Sequence, residues 1–338
     1  MQGLMFIITI YLLSTLMVCF GHYPSEITAL LIADTALRGG GGDPSGWKTP
    51  DWSLESDQAL CEKHNIRTAI LSVTAPGPDI GEGLEAAKIA RRCNEWAARL
   101  RNQNPQRYGF FAAIPSPLKD MQLALSELAY ALDDLHADGV TLFTRYGSGR
   151  HYLGHDVFKP LWAELERRKA VVFIHPTAGI AAGPINPRLP APMIEYPHET
   201  TRCAVDLITS RTIQQHPNCK VILCHSGGTL PFIAMRPAVL LSHANLSAMT
   251  PEEFIADARK FYYDIAQSSS EVIQFLTQFA DPDRILYGSD YPYCPPKTID
   301  FFTLDLDLSK LDSEQISKIK HGNALSLFPR LIARQLDK

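Results

Sequence analysis

Apolar residues along this chain fall in two alternating rhythms. Short unbroken runs close on Gly, Pro or a charged residue: Thr68 to Val73, Tyr108 to Pro115, Gly139 to Thr144, Val171 to Pro176, Val221 to Gly228, Phe261 to Ala266 and Arg284 to Pro292. Each reads as a strand buried on both faces. Between them the apolar positions recur at helical spacing. Leu84, Ala87, Ala90, Cys93, Ala97 and Leu100 form one stripe of a helix from Leu84 to Asn102, and Leu125, Leu128, Leu132 and Leu135 another from Met121 to His136. Further helices are expected at Ser56 to His64, Phe158 to Arg168, Glu199 to His216 and Glu271 to Phe279. Thr250-Pro251-Glu252-Glu253 is a capping box with proline at the first helical position, so a helix starts there as well.

Strands alternating with helices imply a parallel sheet. Strands are marked near residues 70, 111, 142, 173, 223, 263 and 287, and the region of His22 offers an eighth. Eight close a barrel, so the expected architecture is a single-domain α/β (β/α)8 TIM-like barrel. Thr177 to Pro197, with Pro184, Pro187, Pro190, Pro192 and Pro197, is too long for an ordinary connection and reads as a lid or pocket wall. Gly39 to Gly42, next to Asp43-Pro44, lacks GxGxxG and a following Lys-Ser/Thr, and reads as a loop rather than a phosphate cradle.

Composition narrows the class. With 338 residues and 46% hydrophobic content the chain can bury a full core, and a formal net charge of -4 leaves no basic field for nucleic acid. A small molecule is the default partner. The seven cysteines are odd in number and include no CxxC pair, which favours reduced thiols in a cytoplasmic enzyme. One segment points elsewhere. Leu4 to Phe20 is almost wholly apolar, without the basic residues that usually precede a signal core. Residues 1–21 are therefore read as a hydrophobic leader, signal-like, anchor-like or a misassigned exon, and residues 22–338 as the barrel. A real leader would direct the chain to the secretory membrane through residues 4–20.

Chemistry gathers at strand ends. His175 closes one run, His225 follows another, and Asp290 ends the Arg284 run. Singly, a His after an apolar run is more often structural and an Asp more often a helix cap. Three at the C-terminal ends of parallel strands reverse that balance, because barrel sites are built on that face, and imidazole with carboxylate suits a divalent metal. His151, His155, His216, His243 and His321 lack such placement, and His198 is ambiguous. Gly288-Ser289-Asp290 is not a nucleophile elbow. Among the cysteines Cys224 alone adjoins a candidate activator, His225, but neighbouring strand residues point to opposite faces, which weakens the pairing.

These blocks resemble the metal-dependent amidohydrolase superfamily and its aminocarboxymuconate-semialdehyde decarboxylase branch: Phe173-Ile174-His175-Pro176, Cys224-His225-Ser226-Gly227-Gly228, Gly288-Ser289-Asp290-Tyr291-Pro292 and Gly322-Asn323-Ala324. Within that branch the segments Gly41 to Trp47, Leu71 to Gly77, Thr141 to Gly147 and Tyr152 to His155 look like fungal 6-methylsalicylate decarboxylases. The resemblance runs from about His22 to Pro329.

It implies a carboxy-lyase of polyketide secondary metabolism acting on a 2-hydroxybenzoate such as 6-methylsalicylate or orsellinate, with Zn2+ or Mn2+. It also implies His22, His175 and Asp290 as metal ligands, Asp290 and His225 as catalytic groups with His225 the acid/base, and Arg145 and Arg236 as substrate-binding. Arg236 is implied to act across a homodimer interface. The family's first strand ends in Asp-x-His-x-His or Glu-x-His; here His22 matches the second histidine and Phe20 stands where the first ligand belongs. A misassigned start explains this, as does a lost ligand behind a real leader, and the intact later blocks favour the former. The alternatives to a decarboxylase are a hydrolase on the same scaffold and a membrane-anchored barrel with a defective metal site.

Overall fold

The computed structural model describes residues 5–11, 45–48, 50–179, 185–186 and 188–333. Its centre is a curled sheet of eight parallel strands: β1 (Met5–Tyr11), β2 (Ile66–Val73), β3 (Tyr108–Ala112), β4 (Gly139–Phe143), then, beyond a short antiparallel hairpin of β5 (Arg145–Tyr146) and β6 (His151–Tyr152), β7 (Val171–His175), β8 (Lys220–Leu223), β9 (Tyr262–Asp264) and β10 (Ile285–Leu286). Pairing runs without interruption from β1 to β10 in chain order. A π-helical turn at Lys318–Gly322 packs against both outer strands, and the Tyr287 N–H donates to the Ile319 carbonyl at 3.1 Å.

Strand alternation divides the apolar residues into two cores. Ile70, Phe111, Phe173, Ile222, Tyr262 and Leu286 point into the curl, where the Phe111 and Phe173 rings stack at 5.4 Å. Their neighbours Leu71, Phe110, Val172, Leu223, Tyr263 and Ile285 face the helices. Period-two alternation between two dry layers explains why each strand reads as an unbroken apolar run. Leu327, Phe328 and Leu331 extend the inner core. Arg330 fixes their segment at the starts of β3 and β4 through the Pro105 and Tyr108 carbonyls and the Asp138 carboxylate.

Among the described residues the eighth strand lies upstream of the His22 region, which itself lies outside them. β1 comes from within the apolar leader and pairs in parallel with β2, Phe6 opposite Thr68 through Tyr11 opposite Val73. Its sequence, Phe-Ile-Ile-Thr-Ile-Tyr after Met5, is rich in β-branched and aromatic residues, the types that strands favour. Residues 20, 22 and 39–43, which carried other expectations, lie outside the described residues. Among the described residues no helix is long and apolar enough to cross a membrane.

Helix limits differ in physically explicable ways. The helix expected from Glu199 to His216 is Glu195–Thr209 followed by Thr212–Gln215, separated where Arg211 adopts φ +64°. The helix from Met121 loosens after Ala129 into a π-turn at Tyr130–Asp134. Pro296–Asp307 is a helix with apolar residues on several faces, Ile299 and Leu306 buried and Phe301 and Leu304 exposed, so it has no readable stripe.

The Asp138 to Arg330 pair locks the C-terminal plug to the sheet: Nε to Oδ1 is 2.5 Å, Nη2 to Oδ2 is 2.9 Å, and the Phe110 N–H donates to Oδ2 at 3.0 Å. Asp138→Ala removes a buried acceptor from a guanidinium and a backbone amide, and should lower unfolding stability by about 2 to 3 kcal/mol. Urea denaturation checks this as a lower midpoint at unchanged slope.

Candidate active site

His175 is the last residue of β7 and sits two residues after Phe173, so it points inward from the same face of its strand. It is 4% exposed, and its Nδ1 has no hydrogen-bond partner. Burial, with the nearby His225 adding to it, pushes its pKa down to about 3, so the ring is neutral at physiological pH.

His225 follows the end of β8 in a tight turn with φ +54°. Its backbone N–H donates to Asp264 Oδ1 at 3.3 Å, and its Nδ1 lies 3.3 Å from the Ala266 carbonyl. With Nδ1 as that donor, Nε2 is free for the cavity. The turn needs Gly228 at φ +65°, where a Cβ would fall 1.9 Å from the Pro197 carbonyl oxygen.

Asp290 lies beyond β10 with φ +57°, and its Oδ2 accepts from Gln267 Nε2 at 2.5 Å. Burial raises its pKa to about 6 despite the opposing pull of His225 and Gln267. Asp264, at the end of β9, belongs to the same group. It is 2% exposed, accepts the Ala266 N–H at 2.8 Å, and its pKa is likewise raised by burial. The sequence reading marks its strand but attaches no chemistry to it. The signal was present, because Tyr262-Tyr263-Asp264 is another buried run that stops at an acid.

These ends open on a cavity of about 430 Å³. Polar residues His175, His225, Gln267, Ser268 and Asp290 line one part of it. Ala75, Pro192, Met193, Tyr196, Phe232, Val272 and Phe302 supply apolar surface. A mostly apolar cleft of this size with a few convergent polar groups suits a single aromatic ring. Pro192, Met193, Tyr196 and Pro197 come from the proline-rich segment, which forms a pocket wall as expected.

The other expected residues lie elsewhere. Arg145 donates from Nε to the Ala178 carbonyl at 2.9 Å and from Nη1 to the Gly147 carbonyl at 2.5 Å, and it stands 3.9 Å from Glu199. It is held by the loops beside the site and is not among the residues lining the cavity. Arg236 is exposed on helix Met235–His243, also away from the lining, and His198 is exposed on its helix. His22 lies outside the described residues.

The residues present fit a divalent cation. Metal binding needs a neutral imidazole and an ionised carboxylate with open valences. His175 offers a buried, unpartnered nitrogen on a ring kept neutral. Asp290 offers a carboxylate that burial penalises until a positive charge compensates it.

Imidazoles and carboxylates at the C-terminal ends of parallel strands, around a ring-sized cavity, define an α/β enzyme of metal-assisted chemistry. The chain belongs to the amidohydrolase family, whose sequence profile, described as Amidohydrolase, matches residues 21–330. The 6-methylsalicylic acid decarboxylase of Penicillium expansum is 50% identical over 299 residues, 88% of this chain and 92% of that protein. The 6-methylsalicylic acid decarboxylase acuB of Aspergillus aculeatus is 51% identical over 306 residues, again 88% and 92%. Among solved structures, an amidohydrolase II superposes with a TM-score of 0.82 at 26% identity, covering 96% of this chain and 99% of the other. A dihydroxybenzoic acid decarboxylase from a Polaromonas species, solved with bound manganese and 2-nitroresorcinol, has a TM-score of 0.74 at 22% identity and 97% coverage of both chains, a likeness of fold.

Below about pH 6 the metal-free Asp290 holds a proton that an incoming cation must displace, whereas His175 is already neutral. Cation affinity should therefore fall by about tenfold per pH unit below 6 and level off above it, with proton release on binding at pH 5. Titration calorimetry of Zn2+ or Mn2+ at pH 5 and pH 7, in buffers of different ionisation enthalpy, reads both quantities.

Proposed function

We propose that the protein is a non-oxidative carboxy-lyase that removes the carboxylate of a 2-hydroxybenzoate, 6-methylsalicylate or orsellinate, in a single-domain closed barrel working as a cytoplasmic homodimer. The observation that carries this reading is the meeting of His175, His225 and Asp290 at one ring-sized cavity, in a chain half identical to fungal 6-methylsalicylic acid decarboxylases. The described cysteines are all free thiols, in keeping with a reducing compartment.

His175 and Asp290, with His22 as the residue that matches the family's first-strand histidine, would hold a zinc or manganese ion, which when bound would supply Lewis acidity toward the substrate's negative charge. His225 handles the proton. Its free Nε2 takes the phenol proton as the substrate enters, while Nδ1 donates to the Ala266 carbonyl and keeps the ring aimed at the cavity. The same proton is then delivered to the ring carbon bearing the carboxylate. The carbon–carbon bond breaks, its electron pair restores the aromatic ring, and CO2 leaves. One proton from water completes the phenol product.

The remaining residues orient and shield. Gln267 fixes Asp290 through its 2.5 Å bond, and the apolar wall from Met193 to Phe302 excludes water around the ring. Arg145 supports the pocket-wall loops, consistent with its bonds to Gly147 and Ala178. Arg236, exposed on its own protomer, would serve the neighbouring site of the dimer.

Purified protein given 6-methylsalicylate or orsellinate should release CO2 and the matching phenol, identified by mass spectrometry; absence of both products with both acids would sink the reading. His225→Ala should lower kcat at least 100-fold while keeping the cation, whereas His175→Ala and Asp290→Ala should lose both. Metal content and turnover measured on the same preparations separate the roles.

A further inference from the structure

We infer that Glu199 is a specificity-determining residue, a buried carboxylate that positions the apolar wall against the ring and so lets the cavity read the methyl group beside the substrate's carboxylate. This rests on the reading of the protein as a decarboxylase of 6-methylsalicylate or orsellinate, which share that methyl, and adds to it a residue that is not among those lining the cavity.

Glu199 stands on the helix Glu195–Thr209 and is 4% exposed. Its Oε2 accepts the Tyr152 hydroxyl at 2.8 Å and lies 3.9 Å from Arg145 Nε. Arg145 and Tyr152 are directly opposed in the hairpin of β5 and β6, so one cross-strand pair grips one carboxylate. The same guanidinium donates to the Gly147 and Ala178 carbonyls. Ala178 comes three residues after His175, and Glu199 three after Tyr196. Arg145 and Glu199 thus tie the chain leaving β7 to the helix start that presents Tyr196 and Pro197 to the cavity. A further bond holds that helix on the side of the His225 turn, where the Thr229 N–H donates to Thr201 Oγ1 at 2.7 Å. Tyr196 stands edge-on to His175, with ring centroids 6.3 Å apart and planes at 89°. The wall is therefore set against the reacting end of the cavity through buried polar contacts.

A methyl group offers no hydrogen bond, so only close contact distinguishes it from hydrogen. One methylene in an apolar pocket is worth roughly 10- to 200-fold in selectivity. A gap of about 0.5 to 1 Å forfeits a quarter to a half of each such contact, so the distance of the wall decides the outcome. Glu199 is the counter-charge at the base of that wall. Removing its charge leaves the Arg145 guanidinium, whose side chain is 10% exposed, without a carboxylate partner, and the tie between the two segments loosens. Arg202 lies 3.6 Å from Glu199 but its side chain is 65% exposed, and a pair screened by water in this way contributes little.

The test measures kcat and KM of the full-length holoenzyme on two pairs of acids that differ only in the methyl: 6-methylsalicylate against salicylate, and orsellinate against 2,4-dihydroxybenzoate. Wild type should prefer the methylated acid of a pair by about tenfold or more in kcat/KM. Glu199→Gln keeps the shape and an acceptor for Tyr152 but removes the charge. It should raise KM for the methylated acids about tenfold with kcat within about twofold, and cut the preference by a similar factor. Tyr152→Phe should shift both quantities in the same direction, and Arg202→Ala should shift neither. A folded Glu199→Gln that keeps the wild-type preference, or that loses kcat equally on every acid at unchanged KM, overturns the inference and leaves the decarboxylase standing. Wild type that turns over both members of each pair equally well does the same. Turnover of none of the four acids by wild type overturns both. Should Glu199→Gln fail to fold by circular dichroism, Tyr152→Phe decides by the same criteria.

Discussion

The structure is governed by the desolvation of charge at the C-terminal ends of its strands. Asp264 and Asp290 are buried there with the neutral ring of His175, beside His225, and withdrawing a carboxylate from water costs several kcal/mol unless charge or hydrogen bonds compensate. The chain compensates them unequally. Asp264 receives two backbone N–H groups, whereas Asp290 receives one side-chain amide and His175 has an unpaired Nδ1. The least compensated groups are those assigned to hold the cation. A cation bound there, as proposed, would relieve that deficit.

The scaffold exists to keep those groups where they are. Two dry cores, one inside the curl and one beneath the helices, fix each strand in register and so fix where each strand stops. The C-terminal plug ties the far ends of β3 and β4 through Arg330 and Asp138. Beyond the strands, His225, Ser226, Gln267 and Asp290 all adopt positive φ although none is glycine. Left-handed backbone at non-glycine residues costs of order 1 kcal/mol or more each, and its concentration around the cavity places strain where function needs side chains re-aimed.

Much of this was legible in the sequence. The strands from residue 66 onward, the pocket wall after His175 and the trio His175, His225 and Asp290 follow from apolar runs and what ends them. The first strand was not, because an apolar run long enough for a leader and one suited to a buried strand look alike until a pairing partner is known; here Tyr11 sits opposite Val73. Gln267 carries no motif, and its role depends on a backbone angle that composition does not encode. Arg145 shows the converse: a residue in a recognisable block whose side chain is taken up by loop carbonyls.

The central claim is that a proton held at His225 replaces the carboxylate on the ring carbon. The most direct measurement is turnover of 6-methylsalicylate in D2O, followed by mass and deuterium NMR analysis of the phenol. The account predicts one deuterium per product molecule, located only at the carbon that carried the carboxylate, with incorporation and turnover lost together in His225→Ala. A phenol formed without that deuterium, or one still labelled at undiminished rate when His225 is removed, would contradict it.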